Sequence, residues 1–261
     1  MIRYWKIYCE FFRSSFAREL EYRANFFAKV LQNAAWILFG LLVVLVLYRN
    51  TDSVAGWEKV DSLLLVGTGF TVAAVFGLLF RSLLEIPGQI RLGQLDFILT
   101  KPVDSQFWVS TRKFNFDQVG SFVAGIATMI YAVPRLSAAP VLVDWFGYVV
   151  LVGCSVAVFY SLCLSLMSLA IWFVRVDNLW VLSESVLDVA RFPLDMYSPG
   201  IQRFLLYVVP IGFIATVPAR QLIIGFDPLM LVLGIGWAGA SLLFARWFWM
   251  FALKHYTSAS S

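Results

Sequence analysis

The sequence predicts an all-α, polytopic membrane protein, and three observations carry that prediction. Hydrophobic residues make up 61% of the chain and charged ones 14%, against roughly 25% charged in soluble proteins, and the mean hydropathy is +0.80. Four windows, 30–48, 62–80, 145–174 and 228–245, contain no Asp, Glu, Lys or Arg. A helix of about 20 residues crosses a hydrocarbon core of about 30 Å. The period-2 alternation of a barrel strand is absent, and in lipid a helix satisfies its own backbone hydrogen bonds within one segment.

Basic residues set the expected orientation. Arg3, Lys6, Arg13, Arg18, Arg23 and Lys29 precede the first apolar run, and Arg81, Arg91, Lys101, Arg112 and Lys113 flank or occupy the second connection. Lys254 follows the last run, whereas the first connection holds only Arg49 and Lys59 and the third only Arg135. The positive-inside bias then places both termini and the second connection in the cytoplasm, which requires an even number of spans. The formal charge of +4 follows topology and is not a nucleic-acid footprint.

The elements follow in order within one transmembrane unit, 1–261. Residues 1–24 read as an amphipathic interfacial helix, with Trp5, Tyr8, Cys9, Phe12 and Phe16 on one face and Arg3, Lys6, Glu10 and Arg13 on the other, the pattern of a helix at headgroup level. Spans are expected at 24–48, 61–84, 114–134 and 145–174, with Trp57 as an interfacial anchor in the first outside link. Pro134, Arg135 and Pro140 mark an outside turn, and the chain returns to the cytoplasm at 175–178. The region 179–224 has two readings. In the favoured one, 179–196 spans and 197–225 is a re-entrant hairpin in the outer leaflet, since Pro210, Gly212 and Pro218 divide it into pieces too short to cross. In the other, 179–198 lies on the cytoplasmic surface and 200–224 spans. The last span, 228–253, carries Gly234, Gly236 and Gly239, which allow close helix approach, and Trp247 and Trp249 near its inner end. The total is six spans.

The connection at 85–106 is polar and punctuated by Gly and Pro, which suits a soluble partner better than lipid. It reads Glu85-Ile-Pro-Gly-Gln-Ile-Arg-Leu-Gly-Gln-Leu-Asp-Phe-Ile-Leu-Thr-Lys-Pro-Val103, followed by Phe107 and Arg112-Lys113. This order resembles the second-to-third-span connection of type-2 ABC exporter permeases. Phe192-Pro-Leu-Asp195, Ile201-Gln-Arg-Phe204, Pro210 and Pro218-Ala-Arg220 resemble that family's turn into two short outer-leaflet helices. The insert at 86–93 and the charged group at 184–191 look more like a branch whose permeases occur as unlike pairs.

The resemblance implies a half-transporter in a bacterial cytoplasmic (inner) membrane. It would pair with a second permease chain, identical or homologous, and with an ABC ATPase subunit that binds ATP and magnesium. The coupling residues it implies are Glu85, Ile90, Arg91, Leu95, Asp96, Ile98 and Leu99. Ile90, Leu95, Ile98 and Leu99 would dock in an ATPase groove, with Arg91 and Asp96 at its rim. Arg81 and Glu85, spaced i,i+4, could equally form a local ion pair. The expected function is export of an amphipathic or lipid-like cargo; the other classes weighed are an integral-membrane enzyme acting on lipid and a scaffold or channel subunit that does not pump.

Glu184, Asp188 and Arg191 share one helix face. Charges at membrane depth face protein or water and pair, so this face reads either as a polar patch on the pathway or dimer seam, or as a structural Asp188–Arg191 pair tied to a neighbouring span. The chain contains no Gly-x-x-x-x-Gly-Lys-Ser/Thr phosphate loop, so neither catalysis nor a bound cofactor or metal is expected within it. Cys9, Cys154 and Cys163 lack ligand spacing and read as packing residues. His255, the only histidine, reads as an exposed tail residue, which excludes a triad. No removable signal peptide is expected at the N-terminus.

Overall fold

A computed structural model describes residues 2–21, 23–173 and 179–257. Its helices are α1 (Ile2–Glu21), α2 (Arg23–Leu47), α3 (Lys59–Phe80), α4 (Ile86–Arg91), α5 (Gln94–Leu99), α6 (Ser105–Thr111), α7 (Gln118–Ala132), α8 (Leu142–Ser168), α9 (Leu179–Ala190), α10 (Pro199–Tyr207), α11 (Thr216–Ile223) and α12 (Pro228–Lys254). A two-residue hairpin, β1 (Ser53–Val54) with β2 (Trp57–Glu58), joins α2 to α3. Among the described residues, four helical segments are long and apolar enough to cross a membrane: Phe26–Leu47, Lys59–Arg91, Leu142–Ile171 and Pro228–Lys254.

Helix starts are marked by carboxylates that satisfy amides otherwise left open. Asp61 accepts from the Glu58 amide at 3.0 Å, Asp144 from the Val141 amide at 2.7 Å, and Asp227 from the amides of Leu229 and Met230 at 2.9 and 3.1 Å. Each carboxylate also lies at the positive end of a helix dipole.

Helix α8 is the central strut, packed against α12, α11, α3 and α9, while α3 packs most extensively on α7. That α3–α7 crossing is close because Gly67 and Gly125 meet there: a Cβ on Gly125 would lie 3.0 Å from the Gly67 carbonyl. Close approach also occurs at Gly234, where a Cβ would stand 2.3 Å from Leu151 Cδ2; at Gly236 and Gly239 nothing lies within 4 Å. Cys163 is fully buried in α8 and Cys154 nearly so.

Two expected spans differ in the structure. The third was placed at 114–134, but Phe114–Asp117 is not helical and α7 has 15 residues. The amides of Phe114 and Asn115 are taken by Ser15 Oγ at 3.1 Å and the Leu78 carbonyl at 3.2 Å, so this stretch needs no helix to satisfy them. The fifth was placed at 179–196, but α9 stops at Ala190 after 12 residues, about 18 Å of helix. Pro193 disfavours the helical conformation at Phe192. The expected return at 175–178 lies outside the described residues.

Beyond α9 the chain forms α10, a turn at 211–213, and α11. The other reading of this region, a span over 200–224, finds no continuous helix here. The turn is anchored deep: Ser155 Oγ donates to the Phe213 carbonyl at 2.6 Å, about 20 Å along α8 from its first residue at 1.5 Å per residue. Trp57, expected as an interfacial anchor, is buried within the chain. Its Nε1 donates to Asp195 at 2.8 Å, and Asp195 also pairs with Arg220 of α11 at 2.5 Å.

Candidate functional site: an anchored connecting segment and a charged cavity

The segment 85–106 folds into two short helices, α4 and α5, joined through Gly93. At φ +66 this residue adopts the left-handed conformation that glycine takes without steric cost. Each helix has one apolar face against the chain's own core: Ile86, Ile90, Leu95 and Ile98 are buried there, Leu95 to 0% exposure. The docking surface expected from the sequence is therefore corrected. Ile90, Leu95 and Ile98 hold the segment onto the membrane helices and offer nothing to a groove. Leu99 does face outward, together with two residues that sequence reasoning passed over, Leu92 (66% exposed) and Phe97 (72%).

Polar ties fix this segment from three sides. Glu85 pairs with Arg112 and Lys113 rather than with Arg81, closing the loop between the end of α3 and the start of α7. Asp104 caps α6 by accepting from the Phe107 amide at 3.0 Å and pairs with both terminal nitrogens of Arg246 on α12, at 2.7 and 3.1 Å. Burial pushes the Asp104 carboxyl up, but the Arg246 guanidinium and the Phe107 amide outweigh it and hold it below its usual range. Trp249 Nε1 donates to Ser105 Oγ at 3.1 Å, and Lys101 Nζ lies 3.6 Å from the Trp108 ring centroid. At the chain's end, burial and then the neighbouring Asp96 push the Tyr256 hydroxyl up to about 12. Arg91 is exposed.

Helix α1 packs on the same region. Tyr4 meets Phe107, Tyr8 meets Phe114 and Phe11 meets Trp108, each pair with centroids 5.0 Å apart, and Phe12 and Phe16 both contact Phe116. Part of the aromatic face of α1 thus contacts the chain itself, while Phe12 and Phe16 remain 45% and 48% exposed. Trp5 is the most exposed of these rings, at 67%.

The charged face of α9 is where its spacing suggested. Glu184, Asp188 and Arg191 all line one cavity of about 960 Å³, whose opposite walls include Lys29, Asn33 and Trp36 of α2, Arg81 beyond α3, and Asp117. Asp188 and Arg191 pair at 2.9 Å, and the guanidinium lies 5.5 Å from the Trp36 ring and 5.8 Å from that of Phe70. The pair is tied to α2 and α3 and also faces the cavity. Above it, nearer the α2–α3 link, lies an apolar pocket of about 270 Å³ walled by Phe39, Val43, Tyr48 and Pro193. His255 sits exposed beyond α12, its ring against those of Phe251 and Trp172.

The chain is thus a multi-pass helical bundle with an anchored connecting segment at 85–106 and a charged cavity between its helices. The family model for "ABC-2 family transporter protein" matches residues 34–260, and the chain belongs to that family: it is a permease component of an ABC transporter. The match takes in α3–α12, with both the 85–106 segment and the charged face of α9. No curated protein and no solved structure matches the chain.

Proposed function

We propose that the chain is one half of the membrane pathway of an ATP-driven exporter, sited in a bacterial cytoplasmic membrane with both termini inside. In this reading α7 and α9 complete six crossings with the four long segments, and α10–α11 is a re-entrant hairpin, supported by the depth of the Phe213–Ser155 contact. A second permease covers the open side of the cavity between α2 and α9. The cargo is amphipathic or lipid-like, in keeping with a polar cavity continuous with an apolar pocket.

Energy comes from a separate ATPase subunit docked on 85–106. The observation that carries this reading is the outward row Leu92, Phe97 and Leu99 on a segment tied to α12 through Asp104–Arg246. Three large apolar side chains exposed on a polar, cytoplasmic surface suit a helix-in-groove contact. A load placed there bears on the membrane helices because Ile86, Ile90, Leu95 and Ile98 are embedded among them.

Co-expression with its ATPase partner, followed by native mass measurement in detergent, tests the reading. Two permeases with two ATPase subunits are expected. A permease that purifies alone, with no ATPase retained in any nucleotide state, would sink it.

A further inference from the structure

The two cavities meet at one place. Trp36, Asp188 and Arg191 wall both the polar inner cavity and the apolar outer pocket. At that neck Asp188 and Arg191 hold each other at 2.9 Å, with the guanidinium against Trp36 and Phe70. Below it, Asp117 is buried on the cavity wall, with one carboxylate oxygen 3.9 Å from Lys29 and the other without a hydrogen-bond partner among the described residues. The inner compartment therefore presents charges of both signs.

A molecule bound where the two cavities meet lies against both Asp188 and Arg191. Both side chains are open to these cavities, Asp188 at 57% and Arg191 at 27% exposure, so a bound ion competes with the pair, and one that replaces a single partner leaves the other charge uncompensated at membrane depth. A cationic cargo compensates Asp188 only, an anionic one Arg191 only, and a neutral one neither. A polar end that carries both a cation and an anion compensates the two together. The outer pocket, at about 270 Å³, lies at the lower edge of the range of about 300–1,000 Å³ that holds drug-sized molecules, and so fits one short apolar chain.

Building on the permease reading, we propose that Asp188 and Arg191 form the cargo-selecting site, and that the cargo is a small zwitterionic amphiphile. Its charged end is taken between the two side chains while its apolar end enters the pocket beside Phe39 and Val43.

The test measures binding to the full-length chain in lipid nanodiscs, without ATP. The probes are four eight-carbon amphiphiles below their micelle concentrations: octylphosphocholine, octyl sulfate, octyltrimethylammonium and octyl glucoside. The parent chain should bind octylphosphocholine about tenfold more tightly than the other three, a readily resolved difference. Asp188→Asn frees Arg191, so octyl sulfate should gain about tenfold in affinity, while Arg191→Gln should give the corresponding gain to octyltrimethylammonium. These opposite gains cannot come from a variant that fails to fold. Equal binding of all four probes to the parent, or the same order of affinities in parent and both variants, overturns the proposal. Failure to retain an ATPase removes the permease reading and leaves this measurement intact, so the two can fail separately.

Discussion

Replacing Phe97 by alanine removes the largest outward-facing side chain of the 85–106 segment and touches little of the chain's own core. Phe97 is 72% exposed, and an aromatic side chain buries about 150–250 Å² when covered, so a partner groove removes on the order of 140 Å² from water. At about 25 cal/mol per Å² this is roughly 3.5 kcal/mol, reduced to about 2–3 kcal/mol by the cost of ordering the side chain. The ATPase subunit should bind Phe97→Ala roughly thirty- to a hundredfold more weakly, while the thermal unfolding of the permease stays within a degree or two of the parent, as about 0.5 kcal/mol or less implies for an exposed site. Leu95→Ala is the opposite case. Leu95 is wholly buried in the core of its own chain, so the substitution leaves a cavity costing about 2–5 kcal/mol in folding, and its effect on ATPase binding follows from instability. The assay is a paired one: permease melting in detergent, and titration of labelled ATPase subunit onto nanodisc-held permease. The reasoning is refuted if Phe97→Ala binds ATPase like the parent while Leu95→Ala melts normally yet binds poorly, because the docking face would then be the one the structure shows turned inward.

Two further outcomes follow from single contacts. The Asp104 carboxyl is held below its ordinary value, so its stabilising effect is present above the unfolded value of about 3.9 and is lost as pH falls through the lower folded value; melting followed from pH of about 6 down to about 3 should show a drop below pH of about 4 that is smaller in Asp104→Asn. Gly234→Ala places a Cβ 2.3 Å from Leu151, itself fully buried, and should cost about 1–3 kcal/mol through overpacking of α8 on α12, whereas Gly236→Ala, with nothing within 4 Å, should melt like the parent.

The long elements were legible because lipid imposes a strict rule on sequence. Uncharged windows at 30–48, 62–80, 145–174 and 228–245 coincide with α2, α3, α8 and α12, since each must satisfy its backbone internally and present apolar atoms on every side. The same rule misjudges segments sheltered by protein. Phe114 and Phe116 invited extending a span over 114–117, but the Phe114 and Asn115 amides are taken by Ser15 and Leu78. Trp57 resembles an interfacial anchor by type and place, but Asp195, 138 residues away, accepts its proton; nothing near Trp57 in the chain announces that partner.

The charged face of α9 was legible for a physical reason that the 85–106 segment lacks. Glu184, Asp188 and Arg191 are costly in lipid, so their spacing alone requires a common polar surface, and the cavity supplies it. In α4 and α5 each helix has six residues, less than two turns, with apolar side chains on both faces: Ile90, Leu95 and Ile98 on one, Leu92, Phe97 and Leu99 on the other. Periodicity separates an inner from an outer face only when polar residues occupy one of them, and here the second face is apolar as well. What settles the orientation is a set of contacts made far along the chain. Arg246 and Trp249 reach Asp104 and Ser105 from α12, and Arg112 and Lys113 close on Glu85. Once those ties hold both ends, Leu95 and Ile98 can only face inward. The apolar face left over has no use in folding this chain alone, which makes Leu92, Phe97 and Leu99 the residues to assign to a partner.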